Sequence, residues 1–413
     1  MPLGYECVIF EGLPKAGGLM RTNIPSFRLP VEVLEEEMDM ILDMGVEVHY
    51  NHRIDSLKEL LDKEEFDAVF VGTGAPKGKE LNIPGREEAD ANVHIGIEWL
   101  ESIHFGHVDS VGENVLVIGV GNTAMDCCRS SKRLGGKDIK VMARKSRPYF
   151  KASPWELEDA EDEEVDILVN HAPQKFVLED GRLTGMVFDI VEWQENEAGR
   201  LVSNKLDEIF LPADDVILAI GQDNAFPWIE RDIGIEFGEW DMPVVDRATF
   251  MTTREGVFVG GDAAWGPENI IWAVEHGHQA AISIHNYCQG IPVGDRPPYG
   301  MNLVSTKMGI HEWSYSNDYD PVDRTEMRYV DLEKRLTDMK IEAELGFDLK
   351  ETVREVERCL NCDVQTDFTA NLCIECDGCY EACKSRHGTD RLGPSEVKYG
   401  LTEIPQNCHN CVV

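Results

Sequence analysis

The feature that most constrains the fold of this chain is the segment VLVIGVGNTAMD at residues 115–126. Four aliphatic residues lead directly into Gly119 and Gly121, and a stretch typical of a helix start follows. A strand, a tight turn and a helix in immediate succession form the building unit of parallel α/β sheets. Further apolar runs alternate with helical segments and are predicted to be buried strands, at 7–10, 68–71, 216–219 and 257–259. We therefore expect an α/β fold built on parallel sheets.

The glycine turn has the chemistry of a dinucleotide-binding loop. Gly119 permits the tight turn, Gly121 lets the backbone approach a pyrophosphate, and the small Ala124 lets the helix pack closely on the strand. The first amides of the helix, at Asn122 and Thr123, would then bind the anion. Because the motif follows a strand and opens a helix, it favours a nicotinamide dinucleotide site over an ordinary turn.

The choice between the two nicotinamide cofactors depends on the end of the next predicted strand, at 139–142. An acid there, about 20 residues after the glycines, would favour NAD. The strand instead runs into ARKSR (143–147), in which Arg144 and Lys145 suit a ribose 2′-phosphate. The sequence therefore favours NADP(H). Ordinary surface arginines are the alternative, so NAD use is not excluded.

A second nucleotide site is predicted at GVFVGGDAAWGPENIIWAVEHGHQAA (256–281), where a strand leads into a glycine pair, an acid and a helix. In a flavin-binding fold, Asp262 after Gly261 would accept a hydrogen bond from a ribityl hydroxyl. The helix that includes Ile270 would face the flavin or its phosphates. A helix N-cap at Asp262 is the alternative, but it would not require Gly260, Gly261 and Gly277 as well.

These motifs carry a resemblance to a known family. IFEGLPKAGGLMRTNIPSFRLP (9–30), the glycine turn and GVFVGGD (256–262) resemble the small subunit of bacterial glutamate synthase, in the same order over residues 5 to about 290. The resemblance implies an FAD- and NAD(P)H-dependent oxidoreductase with two Rossmann-like dinucleotide-binding domains of the glutathione-reductase type. It also implies that Glu11 holds the adenosine ribose of FAD, and that Gly17, Gly18 and Leu19 lie beside the flavin.

Two more segments resemble the strand-to-glycine crossovers between the domains of such enzymes. They are DAVFVGTGA (67–75), with Gly72 and Gly74, and VILAIGQ (216–222), with Gly221. The resulting domain plan is a truncated first part of an FAD domain (1–108), an NAD(P) domain (109–245), the second part of the FAD domain (246–295), a linker or extension (296–350) and an iron–sulfur segment (351–413). Within the NAD(P) domain, FVLEDGRLTGMVF (176–188) predicts a hairpin that turns at Asp180-Gly181.

The chain departs from this family at its start. A strand and a GxGxxG loop normally lie roughly 20–30 residues before the acid that Glu11 matches, whereas ten residues precede Glu11 here. A buried diphosphate with few amide donors would be poorly compensated. Three explanations are open: another subunit supplies the strand and loop, the site binds FAD weakly, or the flavin has been lost. We favour the first, because the unmet sheet edge invites a partner.

The C-terminal cysteines predict iron–sulfur clusters. Cys373, Cys376, Cys379 and Cys383 have the CxxCxxCxxxC spacing of ferredoxins, in which thiolates hold a [4Fe-4S] cluster. Four more bring the number to eight, which is the ligand count of two clusters: Cys359, Cys362, Cys408 and Cys411. A structural zinc on these four is the alternative, and a partner chain is a further source of ligands. The order ERCLNCDVQTDF then CIECDGC resembles flavoprotein subunits of 2-oxoacid:acceptor oxidoreductases of the phenylglyoxylate dehydrogenase type.

Charge excludes other functional classes. The chain of 413 residues has 39 basic and 77 acidic residues, a net charge of −38, which argues against binding nucleic acid or an anionic membrane surface. No apolar run approaches the ~18 residues of a membrane span, and no signal peptide is visible, so a cytoplasmic location is expected. The acidic run ELEDAEDEE (156–164) is expected to be a solvated helix face.

The combined prediction is an electron-transfer subunit that links NAD(P)(H), FAD and [4Fe-4S] clusters within a larger complex, with an iron–sulfur electron donor or acceptor as partner. A glutamate-synthase partner that delivers electrons from NADPH, and a structural subunit with an empty flavin site, are the alternatives. We expect no dedicated acid–base set, because the cofactors carry the chemistry. The adjacent Cys127 and Cys128 are expected to be packing residues rather than a redox dithiol.

Overall fold

A computed structural model describes residues 3–63, 66–195, 199–296 and 323–357. They divide into two compact units. The first contains residues up to 295 together with 329–345, and the described part of the second consists of 296, 323–328 and 346–357. In the described part of the chain, no helix has the length and apolar character needed to cross a membrane.

The strands of the described residues are short, except for three long antiparallel ones. In chain order they are β1 (Val8–Phe10), β2 (Glu47–His49), β3 (Val69–Val71), β4 (Lys77–Gly78), β5 (Val93–Ile95), β6 (Asn114–Ile118), β7 (Asp138–Met142), β8 (Asp166–Leu168), β9 (His171–Glu179), β10 (Arg182–Glu195), β11 (Leu201–Pro212), β12 (Asp215–Leu218), β13 (Gln222–Asp223) and β14 (Val257–Val259).

The α-helices of the described residues are α1 (Gly18–Thr22), α2 (Val31–Leu42), α3 (Leu57–Lys63), α4 (Gly96–His104), α5 (Asn122–Arg133), α6 (Pro154–Asp162), α7 (Asp262–Trp265), α8 (Ile270–Cys288), α9 (Leu332–Arg335) and α10 (Leu349–Glu357). All but α10 belong to the first unit, and α10 lies in the second.

The largest sheet is parallel and has the strand order β5-β12-β6-β7-β8. Its central strand β6 is an aliphatic run in which Val115, Leu116, Val117 and Ile118 are buried, as expected for a strand that is covered on both faces. From β6 the chain proceeds through β7 and β8 to one side, while β12 and β5 lie on the other. The turn after β6 therefore lies where the strand order reverses, which is where open α/β sheets bind ligands.

An antiparallel sheet of order β11-β10-β9 packs against this parallel sheet through the side chains of Phe176, Met186 and Phe188. The predicted hairpin is confirmed: β9 and β10 are joined at Asp180 and Gly181, both with positive φ (51° and 76°). Positive φ at both residues is the turn geometry that Asp-Gly favours.

The remaining strands form separate two-stranded sheets. β1 pairs with β2 and β3 pairs with β14, both in parallel, while β4 and β13 form an antiparallel ribbon. Among the described residues no strand pairs with the second edge of β1 or of β3. Their central side chains are consequently open to solvent: Ile9 is 42% exposed and Phe70 is 41% exposed. The rings of Phe10, at the end of β1, and of Phe66, three residues before β3, lie 6.1 Å apart.

A buried ion cluster joins α5 to α6. The carboxylate of Glu163 is 0% exposed, and it accepts hydrogen bonds from Arg133 Nη1 at 2.6 Å and Arg129 Nη2 at 3.0 Å. Arg129 Nη1 also donates to Asp159, at 2.9 Å. Burial raises the pKa of Glu163, but the hydrogen bonds from the two arginines outweigh it, so this pKa lies below its usual value.

This cluster corrects one expectation from the sequence. The acidic run 156–164 is not a solvated face throughout, because Glu156 and Glu163 are both buried. Charge pairing explains the difference: Glu156 is bound by Arg28, which also pairs with Asp126 at 2.6 Å. Buried carboxylates are tolerated where cations and hydrogen bonds compensate them.

Residues 329–345 extend the cluster with groups from far along the chain. Arg335 is buried, with Nε 3.4 Å from Glu163 Oε1. The amide of Ala343 donates to the carbonyl of Phe27 at 2.9 Å, and the Arg133 guanidinium lies 3.7 Å from the centre of the Phe27 ring. These residues, which lie within the predicted linker or extension (296–350), are therefore attached both to the end of α6 and to the loop that precedes α2.

We expect Glu163→Gln to lower the free energy of unfolding by about 3–5 kcal/mol, because it leaves three arginines buried without their shared carboxylate. Glu161→Gln is the matched control, since Glu161 pairs with Arg147 in an exposed contact and should contribute less than ~1 kcal/mol. Urea unfolding of the full chain, followed by circular dichroism, measures both. Equal losses in the two variants would contradict a stabilising role for the cluster.

Candidate nucleotide-binding sites

The glycine turn after β6 is shaped by a close backbone approach to the end of β12. Gly119 has φ +124°, and a Cβ built on it would lie 2.2 Å from the carbonyl oxygen of Ala219. The amide of Gly119 donates to Met142 O at 3.1 Å, and the amide of Ala219 donates to Ile118 O at 2.8 Å. No side chain fits between these segments, so the turn requires glycine at this position.

The N-terminus of α5 opens directly from this turn. Gly121 is its N-cap, and a Cβ on Gly121 would have no protein atom within 4 Å. The first amide that bonds back to Gly121 O is that of Ala124, at 2.9 Å, and the amides of Asn122 and Thr123 have no acceptor among the described residues. Ala124 is fully buried against the sheet. Two unpaired amides beside an open space are the arrangement that binds a pyrophosphate.

The basic residues after β7 lie beside the glycine turn, because Met142 and Ile118 are paired at the ends of neighbouring parallel strands. Arg144 is exposed and Lys145 is half-buried. The indole of Trp193, on β10, donates from Nε1 to the carbonyl oxygen of Arg144 at 2.7 Å. No sequence pattern indicates that Trp193 contacts this loop, because Trp193 and Arg144 are 49 positions apart and meet only through the packing of two sheets.

Asp262 follows β14 and begins α7. Its Oδ1 accepts a hydrogen bond from the amide of Glu268 at 3.0 Å, and burial raises its pKa. The preceding Gly261 has φ +62° and ψ −152°, a conformation essentially restricted to glycine, and its amide donates to His276 Nδ1 at 3.2 Å. Asn224, which the sequence analysis missed, donates from Nδ2 to the carbonyl oxygen of Asp262 at 2.9 Å.

Glu11 lies directly after β1, and its surroundings are held by local hydrogen bonds. Its Oε1 accepts from the amide of Leu13 at 2.9 Å, and its own amide donates to His49 O at 2.9 Å. The next glycines lead into α1, with φ +122° at Gly17 and +47° at Gly18, and Leu19 follows in the first turn of this short helix. Glu11 and Asp262 thus each follow the carboxyl end of a parallel strand.

The two predicted crossover segments meet in the β4–β13 ribbon. Gly72 and Gly74 lie between β3 and β4, and Gly221 lies between β12 and β13. The amide of Lys79 donates to Gly221 O at 3.0 Å. Positive φ values at Gly74 (+70°) and Gly221 (+120°) let both segments turn sharply.

The first turns of α8 present an apolar surface to solvent. Ile270, Ile271, Trp272 and Val274 are all exposed, with Ile271 at 79%. Exposed apolar residues that are close in the chain are typical of surfaces covered by a ligand or a partner. These exposed residues belong to the same compact unit as the unpaired edges of β1 and β3.

The structure describes the adjacent cysteines of α5 but not the predicted cluster ligands. Cys127 and Cys128 are buried in the core on α5, and burial raises the pKa of both thiols, so the prediction that they are packing residues is confirmed. The eight predicted cluster ligands, at 359–411, lie outside the described residues, and their role stays a prediction. Within the described residues no group of three or more metal-binding side chains occurs.

Comparison with known proteins agrees with these features. The chain is 34% identical over 368 residues to the beta subunit of the NADP(+)-dependent formate dehydrogenase of Moorella thermoacetica, covering 87% of this chain and 51% of that subunit. It is 30% identical over 310 residues to the small chain of the NADPH glutamate synthase of Azospirillum brasilense, covering 69% of this chain and 62% of that one. The chain thus spans about half to two thirds of these relatives. The resemblance to glutamate synthase small subunits is confirmed.

Among solved structures, FprA of Mycobacterium tuberculosis in complex with NADPH matches with a TM-score of 0.59 and 15% identity, covering 69% of this chain and 78% of that one. The similarity confirms the predicted α/β fold with dinucleotide-binding domains. A family model described as pyridine nucleotide-disulphide oxidoreductase matches residues 5–277. This chain therefore belongs to the pyridine nucleotide-disulphide oxidoreductase family.

Proposed function

We propose that the chain is the NADP(H)-linked flavoprotein subunit of a larger oxidoreductase, and that it passes electrons between NADP(H), FAD and iron–sulfur clusters. The proposal rests on two groups that lie side by side. Two amides at the start of α5 have no hydrogen-bond acceptor within the described residues, and Arg144 and Lys145 follow the end of the neighbouring strand. The amides suit a pyrophosphate, and the two cations suit a ribose 2′-phosphate. Both curated relatives named above carry NADP(+) or NADPH in their names.

The described residues fit part of an FAD site. Asp262 and Glu11 each follow a parallel strand. Asp262 would accept a hydrogen bond from the ribityl chain, and Glu11 would accept one from the adenosine ribose. The exposed apolar turn at Ile270 offers a surface for the isoalloxazine. When bound, FAD exchanges a hydride with a nicotinamide and single electrons with metal clusters. Gly17, Gly18 and Leu19 would lie beside it. The loop that would cradle its pyrophosphate is not present among residues 3–63.

The split sheet supports completion of this site by polypeptide outside the described residues. A parallel strand between β1 and β3 would give the order β2-β1-strand-β3-β14, a continuous parallel sheet. It would cover Ile9 and Phe70, whose exposure is unusual for strands of parallel sheets. We propose that another subunit supplies this strand with a glycine-rich turn and helix, the turn providing the amides for the pyrophosphate.

The iron–sulfur part of this electron-transfer route is proposed from the cysteine spacing. Cys373, Cys376, Cys379 and Cys383 would bind one [4Fe-4S] cluster, and Cys359, Cys362, Cys408 and Cys411 would serve a second. The partner would be an iron–sulfur subunit that oxidises an organic substrate. A 2-oxoacid is the substrate class implied by the resemblance to 2-oxoacid:acceptor oxidoreductases, whereas the relative from Moorella thermoacetica is a formate dehydrogenase subunit. Assays of the purified complex with 2-oxoacid plus coenzyme A, and with formate, distinguish the two.

Gly121→Val is expected to raise the NADP+ dissociation constant by about tenfold or more, since the added side chain would occupy the space beside the unbonded amides. It should leave the unfolding midpoint unchanged, because no protein atom lies near the new Cβ. Gly119→Ala is the contrasting variant and should lower the midpoint through its clash with Ala219 O. Nucleotide titration and thermal unfolding of the full chain measure both. Normal NADP+ binding by Gly121→Val would argue against the site.

The composition of the complex tests the proposed relay. We expect flavin absorbance, iron and acid-labile sulfide in the natively purified assembly, and little flavin in this chain when it is produced alone. Flavin bound equally well by the isolated chain would exclude completion by a partner. An assembly with neither flavin nor sulfide would support the alternative of a structural subunit.

Asp262→Ala in the native complex should weaken flavin retention by about ten- to hundredfold, the range for loss of a hydrogen bond to a charged group. Asp232→Ala is the control, because Asp232 forms an exposed ion pair with Lys58 elsewhere in the same part of the chain. Flavin released per mole of protein after gel filtration is the readout. Unchanged flavin content in Asp262→Ala would limit the role of Asp262 to its hydrogen bond with the amide of Glu268.

A further inference from the structure

The positive charges of Arg144 and Lys145 are not compensated by a carboxylate in the described part of the chain. Within the described residues neither forms an ion pair, although acidic residues outnumber basic ones by 77 to 39. Their neighbours on the same elements are paired: Arg147 with Glu161, and Lys140 with Asp138. A carboxylate in contact would neutralise these two cations and repel a phosphate.

Aromatic rings take the place of carboxylates around them. The Nζ of Lys145 lies 5.0 Å from the ring centre of Trp193 and 5.0 Å from that of Tyr149. The guanidinium carbon of Arg144 lies 6.0 Å from the ring of Trp193. A ring face attracts a cation through its quadrupole but adds no net negative charge. The two side chains are thereby held in place while their full positive charge stays available to a ligand.

Trp193 also fixes the backbone that carries the two cations. Its indole N–H donates to Arg144 O at 2.7 Å, and the amide of His171, on β9, donates to Ala143 O at 2.9 Å. The antiparallel sheet therefore contacts the loop after β7 through one backbone bond and one side-chain bond. Because the carbonyl of Arg144 itself accepts the indole hydrogen bond, that bond restricts where Arg144 and Lys145 can point.

We propose that Trp193 is a positioning residue that determines the preference for the 2′-phosphorylated dinucleotide: its ring and indole N–H orient Arg144 and Lys145 toward the phosphate monoester on the adenosine ribose. This inference rests on the NADP(H) assignment under Proposed function. Trp193 acts through the two cations and leaves the pyrophosphate site at Gly121 unaffected. Its loss should therefore change binding of NADP+ but not of NAD+.

The test is titration of the full chain with NADP+ and, separately, with NAD+. Trp193→Ala should weaken NADP+ binding by about three- to tenfold, the range expected when a cation–π contact and a hydrogen bond are lost. NAD+ binding should stay within about twofold of the original protein. Trp193→Phe, which keeps a ring but removes the N–H donor, should lie between. Trp240→Ala is the control, since Trp240 is 91% exposed on another part of the chain.

If Trp193→Ala weakens the binding of NADP+ and NAD+ equally, Trp193 has a merely structural role. If NADP+ binding is unchanged, Trp193 has no role in it. Either result overturns the inference. The double variant Arg144→Ala/Lys145→Ala separates this failure from failure of the nucleotide assignment. If the double variant loses the NADP+ preference while Trp193→Ala keeps it, only the role of Trp193 is wrong. If the original protein shows no NADP+ preference, the assignment itself is wrong and the inference falls with it.

Discussion

The nucleotide-binding half of this molecule depends on one steric constraint, the contact between the backbone at Gly119 and the carbonyl of Ala219. Because a Cβ would lie 2.2 Å from that oxygen, the strands β6 and β12 can end side by side only if the turn contains glycine. The turn then starts α5 with two unbonded amides at the edge of the sheet where the strand order reverses. The adjacent end of β7 brings a basic loop to the same place.

The cations of this chain have two different roles, depending on whether carboxylates neutralise them. A protein with a net charge of −38 repels polyanions overall, so an anionic dinucleotide requires local cations that its own carboxylates do not neutralise. The buried arginines of α5 are paired with Glu163 and Asp159 and stabilise the packing of α5 on α6. Arg144 and Lys145 are held instead by aromatic rings and a backbone contact. The same residue type thus stabilises the fold in one place and is left available for a ligand in another.

Sequence patterns predicted what is encoded locally. The turn at Gly119 and Gly121, the hairpin at Asp180-Gly181 and the buried cysteines of α5 follow from short-range steric and burial rules, and the structure agrees with all of them. Contacts between distant segments were not predictable in this way. Glu163 is part of an acidic run that has every sign of a solvated face, yet Arg335, from 172 positions later, helps to bury it. Trp193 reaches Arg144 only because two sheets pack together.

The central claim is that reducing equivalents of NADP(H) pass through this chain to a flavin and then to iron–sulfur clusters. Anaerobic titration of the native complex with NADPH, followed by flavin absorbance and by electron paramagnetic resonance, tests it directly. The account predicts that NADPH bleaches the flavin and produces the signals of reduced clusters, and that NADH does so at higher concentration. A complex that contains both chromophores but keeps them oxidised in excess NADPH would contradict it.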